Sequence, residues 1–263
     1  MPEVNVNGQT ISYTERGRGL PLVLVHGFPL DNRIWEEQIS ALSDKSRVIA
    51  PDLPGFGKSK STRPFTLESL ADDLHAFLSQ IKALPCALAG LSMGGYMSFA
   101  YDCKYPTDLK ALILVDTKAE ADTPEGKAGR NKMIETARSS GSPAIAAAMM
   151  PKMITSDSQQ KRPRLVQQVK AIMEFCPPLT IEHALAAMRD RTDYRDCLPS
   201  IAVPTLIIVG DADAITPPAV AESMHKEIPH SKLVIIKGAG HLSPMEQPEQ
   251  VNQAMRQFLS TIN

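Results

Sequence analysis

Short apolar runs recur along the chain, at residues 20–27 (LPLVLVHG), 47–51 (RVIAP), 86–90 (CALAG), 110–116 (KALILVD), 205–210 (TLIIVG) and 232–238 (KLVIIKG). They lack polar alternation, so each is expected to be a strand buried on both faces, the pattern of a parallel sheet covered by helices. The first stretch, EVNVNGQTISYTE, differs and is expected to form a hairpin turning at Asn7-Gly8.

Helical periodicity fills the gaps between these runs. Leu67, Leu70, Ala71, Leu74, Phe77, Leu78 and Ile81 recur at i, i+3, i+4 and i+7. Trp35, Ile39 and Leu42 do so over a shorter span, and Val251, Met255, Phe258, Leu259 and Ile262 near the C-terminus. Strand–helix alternation of this kind implies right-handed crossovers and a twisted, mainly parallel α/β sheet. The alternation breaks between about residues 117 and 198. That span offers no convincing strand but carries two apolar stripes, Leu165/Val169/Ile172 and Ile181/Ala184/Leu185/Met188, punctuated by five prolines at 143, 151, 163, 177 and 178. It is expected to be a helical insertion lying over the sheet. Its methionines, Met149, Met150 and Met153 among them, suit an adaptable apolar wall, although at helical spacing they also suit a plain core.

Composition narrows the function. At 263 residues and 43% hydrophobic, the chain suits one large domain with an insertion. A net charge of −1 gives no reason to expect nucleic acid or an anionic membrane surface as partner. No apolar run approaches the ~20 residues that cross a bilayer, and the N-terminus lacks the pattern of a secretory signal. Cys86, Cys103, Cys176 and Cys197 are scattered with no CxxC pair, so free thiols in a reducing cytoplasm are expected, with no metal site.

The chemistry concentrates in a few loops. In AGLSMGGYMSFA, Ser92 falls between an expected strand and an expected helix, with Gly90 and Gly94 removing side chains where the two must approach. Such a turn projects a strained serine beside the free N–H groups of a helix start. By itself the motif also fits a serine capping an ordinary helix. A serine hydroxyl needs a base to become a nucleophile. Among the six histidines, His241 alone sits on a loop just past the last strand, between the Gly238/Gly240 pair and a final helix. His26, His75, His183, His225 and His230 fit packed or solvated roles. An acid must then orient the imidazole. GDADAITPP supplies Asp213, with Asp211 supporting the turn, and Asp116 at an earlier strand end stands in reserve. For a developing oxyanion, the backbone N–H of Met93 follows the nucleophile, and that of Phe28 in VHGFPL offers a second donor.

The stretches VHGFPL, PDLPGFGKS, AGLSMGGYMSFA, VPTLIIVGDADAITPP and GAGHLSPMEQPE together resemble the α/β-hydrolase superfamily over the whole chain. GLSMGG with PTL ahead of the acid loop is similar to bacterial carboxylesterases, and GAGHLSPMEQPE also to 3-oxoadipate enol-lactonases. The resemblance implies an α/β-hydrolase fold, with residues 1–117 and 199–263 as its core and 118–198 as an inserted helical cap. It also implies Ser92, Asp213 and His241 as a catalytic triad, Phe28 and Met93 as oxyanion donors, and no cofactor. Haloalkane dehalogenases use an aspartate where this chain has Ser92. Cofactor-free haloperoxidases (perhydrolases) often carry tryptophan in the oxyanion loop where this chain has Phe28. A carboxylesterase acting on small esters is the expectation, with a lactone hydrolase, a perhydrolase and a ligand receptor that kept the fold as alternatives. Arg130 or Arg138 in the insertion offers a carboxylate contact for a lactonase, a solvated surface being the other role open to both.

Overall fold

A computed structural model describes residues 1–262. The chain opens with the expected hairpin, β1 (Glu3–Val6) and β2 (Gln9–Arg16). Val6 pairs with Gln9 across a two-residue turn in which Asn7 (φ 50°) and Gly8 (φ 78°) are both left-handed, the turn geometry that matches strand twist. Then come β3 (Leu20–Val25), α1 (Glu36–Leu42), β4 (Ser46–Pro51), α2 (Leu67–Gln80), β5 (Cys86–Leu91), α3 (Met93–Lys104) and β6 (Leu109–Val115). Four helices follow without a strand: α4 (Pro124–Met153), α5 (Ser156–Lys161), α6 (Pro163–Phe175) and α7 (Pro178–Arg189). The sheet resumes with β7 (Thr205–Gly210), α8 (Pro218–Glu227) and β8 (Ser231–Ile236), and the chain closes with α9 (Ser243–Glu246) and α10 (Pro248–Leu259).

The strands form one eight-stranded sheet in the order β1-β2-β4-β3-β5-β6-β7-β8. β2 runs antiparallel to both its neighbours, and every pairing from β4 onward is parallel. This is an α/β-hydrolase fold. The six apolar runs all become strands, and β5, β6 and β7 are buried almost throughout, whereas β8, at the sheet edge with only Ile236 buried, does not have the expected burial on both faces. Each face of the sheet has its own core. Phe77, Met97 and Met224, from α2, α3 and α8, lie in one, and Trp35, Met255 and Phe258 in the other. Burying side chains of this size stabilises the fold by about 1.5–3 kcal/mol apiece. Trp35 ends a short 3-10 turn ahead of α1 rather than lying on the helix, which shortens the expected stripe. Ile262 lies beyond the end of α10.

Within the helical stretch, α6 and α7 carry the two expected stripes. α4 was not apparent in the apolar pattern because most of its side chains face solvent. It is two helices joined at Gly141, whose φ of 72° breaks the rod, with Pro143 at the start of the second segment. All four cysteines are free, and among the described residues no helix is long and apolar enough to cross a membrane.

Candidate active site

The C-terminal ends of β3, β5, β6, β7 and β8 open at one edge of the sheet, where loops of parallel α/β proteins gather their polar groups. β5 ends at Leu91 and α3 begins at Met93, leaving Ser92 alone to reverse the chain at φ 52°, ψ −112°. A non-glycine residue held there costs about 1–3 kcal/mol. Its surroundings enforce the strain. Ser92 N donates to Val115 O (3.0 Å), while Ser92 O accepts from Gly95 N (2.9 Å) and from Thr117 Oγ1 (2.8 Å). The flanking glycines are needed for room. A Cβ on Gly90 would run into Gly94 O, and one on Gly94 would meet Val25 O at 2.6 Å.

The turn aims Ser92 Oγ at His241 Nε2, 2.8 Å away. His241 Nδ1 lies 2.8 Å from Asp213 Oδ2. Since Asp213 accepts, Nδ1 carries the proton and Nε2 is left to take one from the hydroxyl. Asp213 is itself held by four donors in all, the imidazole being one. Its Oδ1 accepts from Ile215 N (2.7 Å) and Thr216 N (2.9 Å), and its Oδ2 from Thr216 Oγ1 (2.7 Å). Burial resists ionisation of Asp213, but the charge and hydrogen bond of His241, with the Thr216 donors, more than offset it and lower its pKa. For His241 burial disfavours the imidazolium. The charge of Asp213, the hydrogen bond to it and the charge of Asp116 outweigh that, raising the pKa above 6.5. Asp211 Oδ1 accepts from Gly238 N (2.9 Å) and Ala239 N (3.3 Å), so the turn it supports is the one leading to His241.

Asp116 does not touch the imidazole. Its Oδ1 accepts from Gly210 N (2.9 Å), and its Oδ2 from Ser243 N (3.1 Å) and Ser243 Oγ (2.6 Å). Fully buried and beside the charge of Asp213, its carboxyl is pushed up to about 7 despite these donors and the nearby His241. It ties the loop that leads to Asp213 to the loop that follows His241.

Met93 is the first residue of α3, so its N–H has no intrahelical acceptor, and neither it nor Phe28 N donates to another described residue. The Phe28 loop passes close to the serine: a Cβ on Gly27 would sit 3.1 Å from Ser92 Cβ. His26 fixes that loop from beneath, its Nε2 accepting from Leu53 N (3.0 Å). Asp52 braces it further, accepting from Asn32 N (2.9 Å) and Lys58 N (2.8 Å). The site is nearly closed, with Ser92 8% and His241 2% exposed. A groove of about 490 Å³ beside α1 is lined by Arg33, Glu37, Arg162 and Arg164 and by neither of those residues.

Arg130 and Arg138 are both engaged elsewhere, in ion pairs with Asp122 (2.9 Å) and Glu182 (2.7 Å). Thr216 and Ser243 escaped the sequence reading. Thr216 had a local signal, the Asp-x-x-Thr spacing of an Asx-type turn. Ser243 had none, since its partner lies 127 positions away.

Residues 21–248 match a family model described as alpha/beta hydrolase fold. A thermophilic esterase from Thermogutta terrifontis, solved with malate bound, is 40% identical, with 98% of this chain and 97% of that one covered and a TM-score of 0.95. The 3-oxoadipate enol-lactonase of Acinetobacter baylyi is 26% identical over 98% of this chain and 96% of its own. A bromoperoxidase from Bacillus anthracis is 27% identical with a TM-score of 0.88, covering 98% of this chain and 99% of that one.

Proposed function

The chain belongs to the α/β-hydrolase family, and from that premise we propose that it is a serine-dependent hydrolase of small carboxylic esters working through an acyl-enzyme. One observation carries the reading: the unbroken relay from Ser92 Oγ through His241 to Asp213, with both links at 2.8 Å. His241 takes the hydroxyl proton through Nε2 as Ser92 Oγ attacks the ester carbonyl. Asp213, held ionised, stabilises the imidazolium that forms. The N–H groups of Phe28 and Met93 receive the oxyanion, each such donor being worth about 100–1,000-fold in rate. His241 then protonates the departing alcohol. In the second half it activates a water that attacks the acyl carbonyl, and Ser92 is restored as the acid leaves.

Residues 118–198 act as a cap over this site in the same reading. Likeness to the enol-lactonase supports a second substrate class, since a lactone is an internal ester opened by the same steps. Free cysteines suit a reducing compartment, so the cytoplasm is where this reading puts the protein. The test is turnover of short p-nitrophenyl esters and of 3-oxoadipate enol-lactone. Wild type is expected to hydrolyse the esters, and Ser92→Ala to lose that activity while remaining folded and unlabelled by a fluorophosphonate. Activity persisting in Ser92→Ala would remove the mechanism. Labelling without turnover would favour a receptor, and a strong preference for the lactone would replace the general esterase.

A further inference from the structure

Glu246 lies five residues past His241, is 2% exposed and takes no part in the relay. Its two carboxylate oxygens face different parts of the chain. Oε2 accepts from Gly240 N at 2.6 Å, the amide immediately before His241. Oε1 accepts from Thr155 N (2.9 Å) and Thr155 Oγ1 (2.8 Å), in the two-residue link between α4 and α5. On the other side of the histidine, Leu242 N donates to Met153 O (3.0 Å). His241 is therefore gripped through both neighbours by residues 153–155, once directly and once through Glu246. There is no slack in this contact: a Cβ on Gly240 would lie 3.1 Å from Glu246 Oε2 and 3.2 Å from Thr155 N. The guanidinium of Arg162 leaves the carboxylate alone and donates to the Glu246 backbone carbonyl (2.6 Å), fastening the α5–α6 junction to the same turn.

We propose that Glu246 is a positioning residue that makes the placement of His241 depend on residues 153–155 being seated, so that the base reaches Ser92 only with the helical cap docked. A glutamate suits this task because its two acceptor oxygens serve donors from both sides. Glutamine keeps the length but one acceptor oxygen, so one set of donors goes unanswered. The inference rests on the hydrolase reading for its consequence in rate, but the contact itself is testable without substrate.

The test uses Glu246→Gln, Thr155→Val and their double variant in the full chain. Each single variant is expected to lower kcat for a short p-nitrophenyl ester by between ten- and a hundredfold while KM moves less than threefold, as a displaced base would. The double variant should lose no more than the worse single one, because both cut the same link. The second readout is the imidazole titration of His241, followed by NMR. The charged groups facing that ring are Asp213 and Asp116, both retained, and residues 153–155 add none. A histidine drifting from Asp213 should titrate at lower pH in both variants. An unmoved titration and kcat with only a lower Tm would make Glu246 a structural staple and overturn the proposal. So would losses that multiply in the double variant, or a change confined to KM. If the wild type neither turns over esters nor accepts the fluorophosphonate, the hydrolase reading fails, and the NMR titration still decides whether the clamp exists.

Discussion

Asp116 and Asp213 follow the ends of adjacent parallel strands, β6 and β7, and both carboxyls are buried. Asp213 is held ionised, whereas Asp116 is pushed up to about 7. Burial alone would raise both. The difference lies in the partner. Asp213 faces an imidazole able to carry positive charge, and three donors from Ile215 and Thr216 complete its shell. Asp116 faces two backbone amides and a hydroxyl, none of which can take up charge, and it feels the repulsion of Asp213 besides. Two carboxylates side by side thus meet different partners: Asp213 faces the His241 imidazole, and Asp116 ties together the loops that carry Asp213 and His241.

The sharpest way to break this comparison is to neutralise each in turn. Asp213→Asn should lower kcat/KM for short p-nitrophenyl esters by about 10⁴-fold, since an amide at that position favours the wrong imidazole tautomer. Asp116→Asn should stay within about tenfold of wild type; equal losses would mean that both act as the acid. Removing the hydroxyl under Asp213 is the next largest effect. Thr216→Val deletes one charge-assisted hydrogen bond worth about 1.5–3 kcal/mol and should cost roughly ten- to a hundredfold in the same assay.

On stability the order reverses. Asp116→Asn sets an amide N–H₂ against Gly210 N or Ser243 N and should destabilise the fold by about 1–3 kcal/mol in urea unfolding. The pH dependence carries a definite sign. The native state holds a proton on Asp116 up to about 7 that the unfolded chain has lost above 3.8, so this group's contribution to stability falls as pH rises across that window. Asp116→Asn should flatten the slope there. The smallest expected effect is kinetic. With the His241 pKa raised above 6.5, kcat/KM should fall on acidification through a midpoint above that value, and Asp116→Asn should move the midpoint down by a fraction of a unit.

Much of this arrangement was legible in the amino-acid sequence, for a physical reason. Strands buried on both faces must be unbroken apolar runs, so β3 to β7 announce themselves. β8, an edge strand with only Ile236 buried, is apolar without that burial, and residues that end these runs share one sheet edge. Ser92, Asp213 and His241 could be named on that ground. What stayed hidden was contact that no local rule encodes. Ser243 pairs with Asp116, and Glu246 pairs with Thr155 from 91 positions away. Asp116 at a strand end read as a reserve acid because its position was visible and its partners were not. α4 was missed for a different reason: a long helix with few buried positions offers little periodic signal, and Gly141 with Pro143 reads as a break.

The enclosure of Ser92 carries a kinetic consequence. With Ser92 8% and His241 2% exposed, the hydrolase reading predicts that an ester reaches the serine only when neighbouring segments move. The expected outcome is that kcat/KM for a fast-reacting short ester falls as glycerol thickens the solvent and is insensitive to it for esters whose bond cleavage is slow; no viscosity effect on either would remove the opening step.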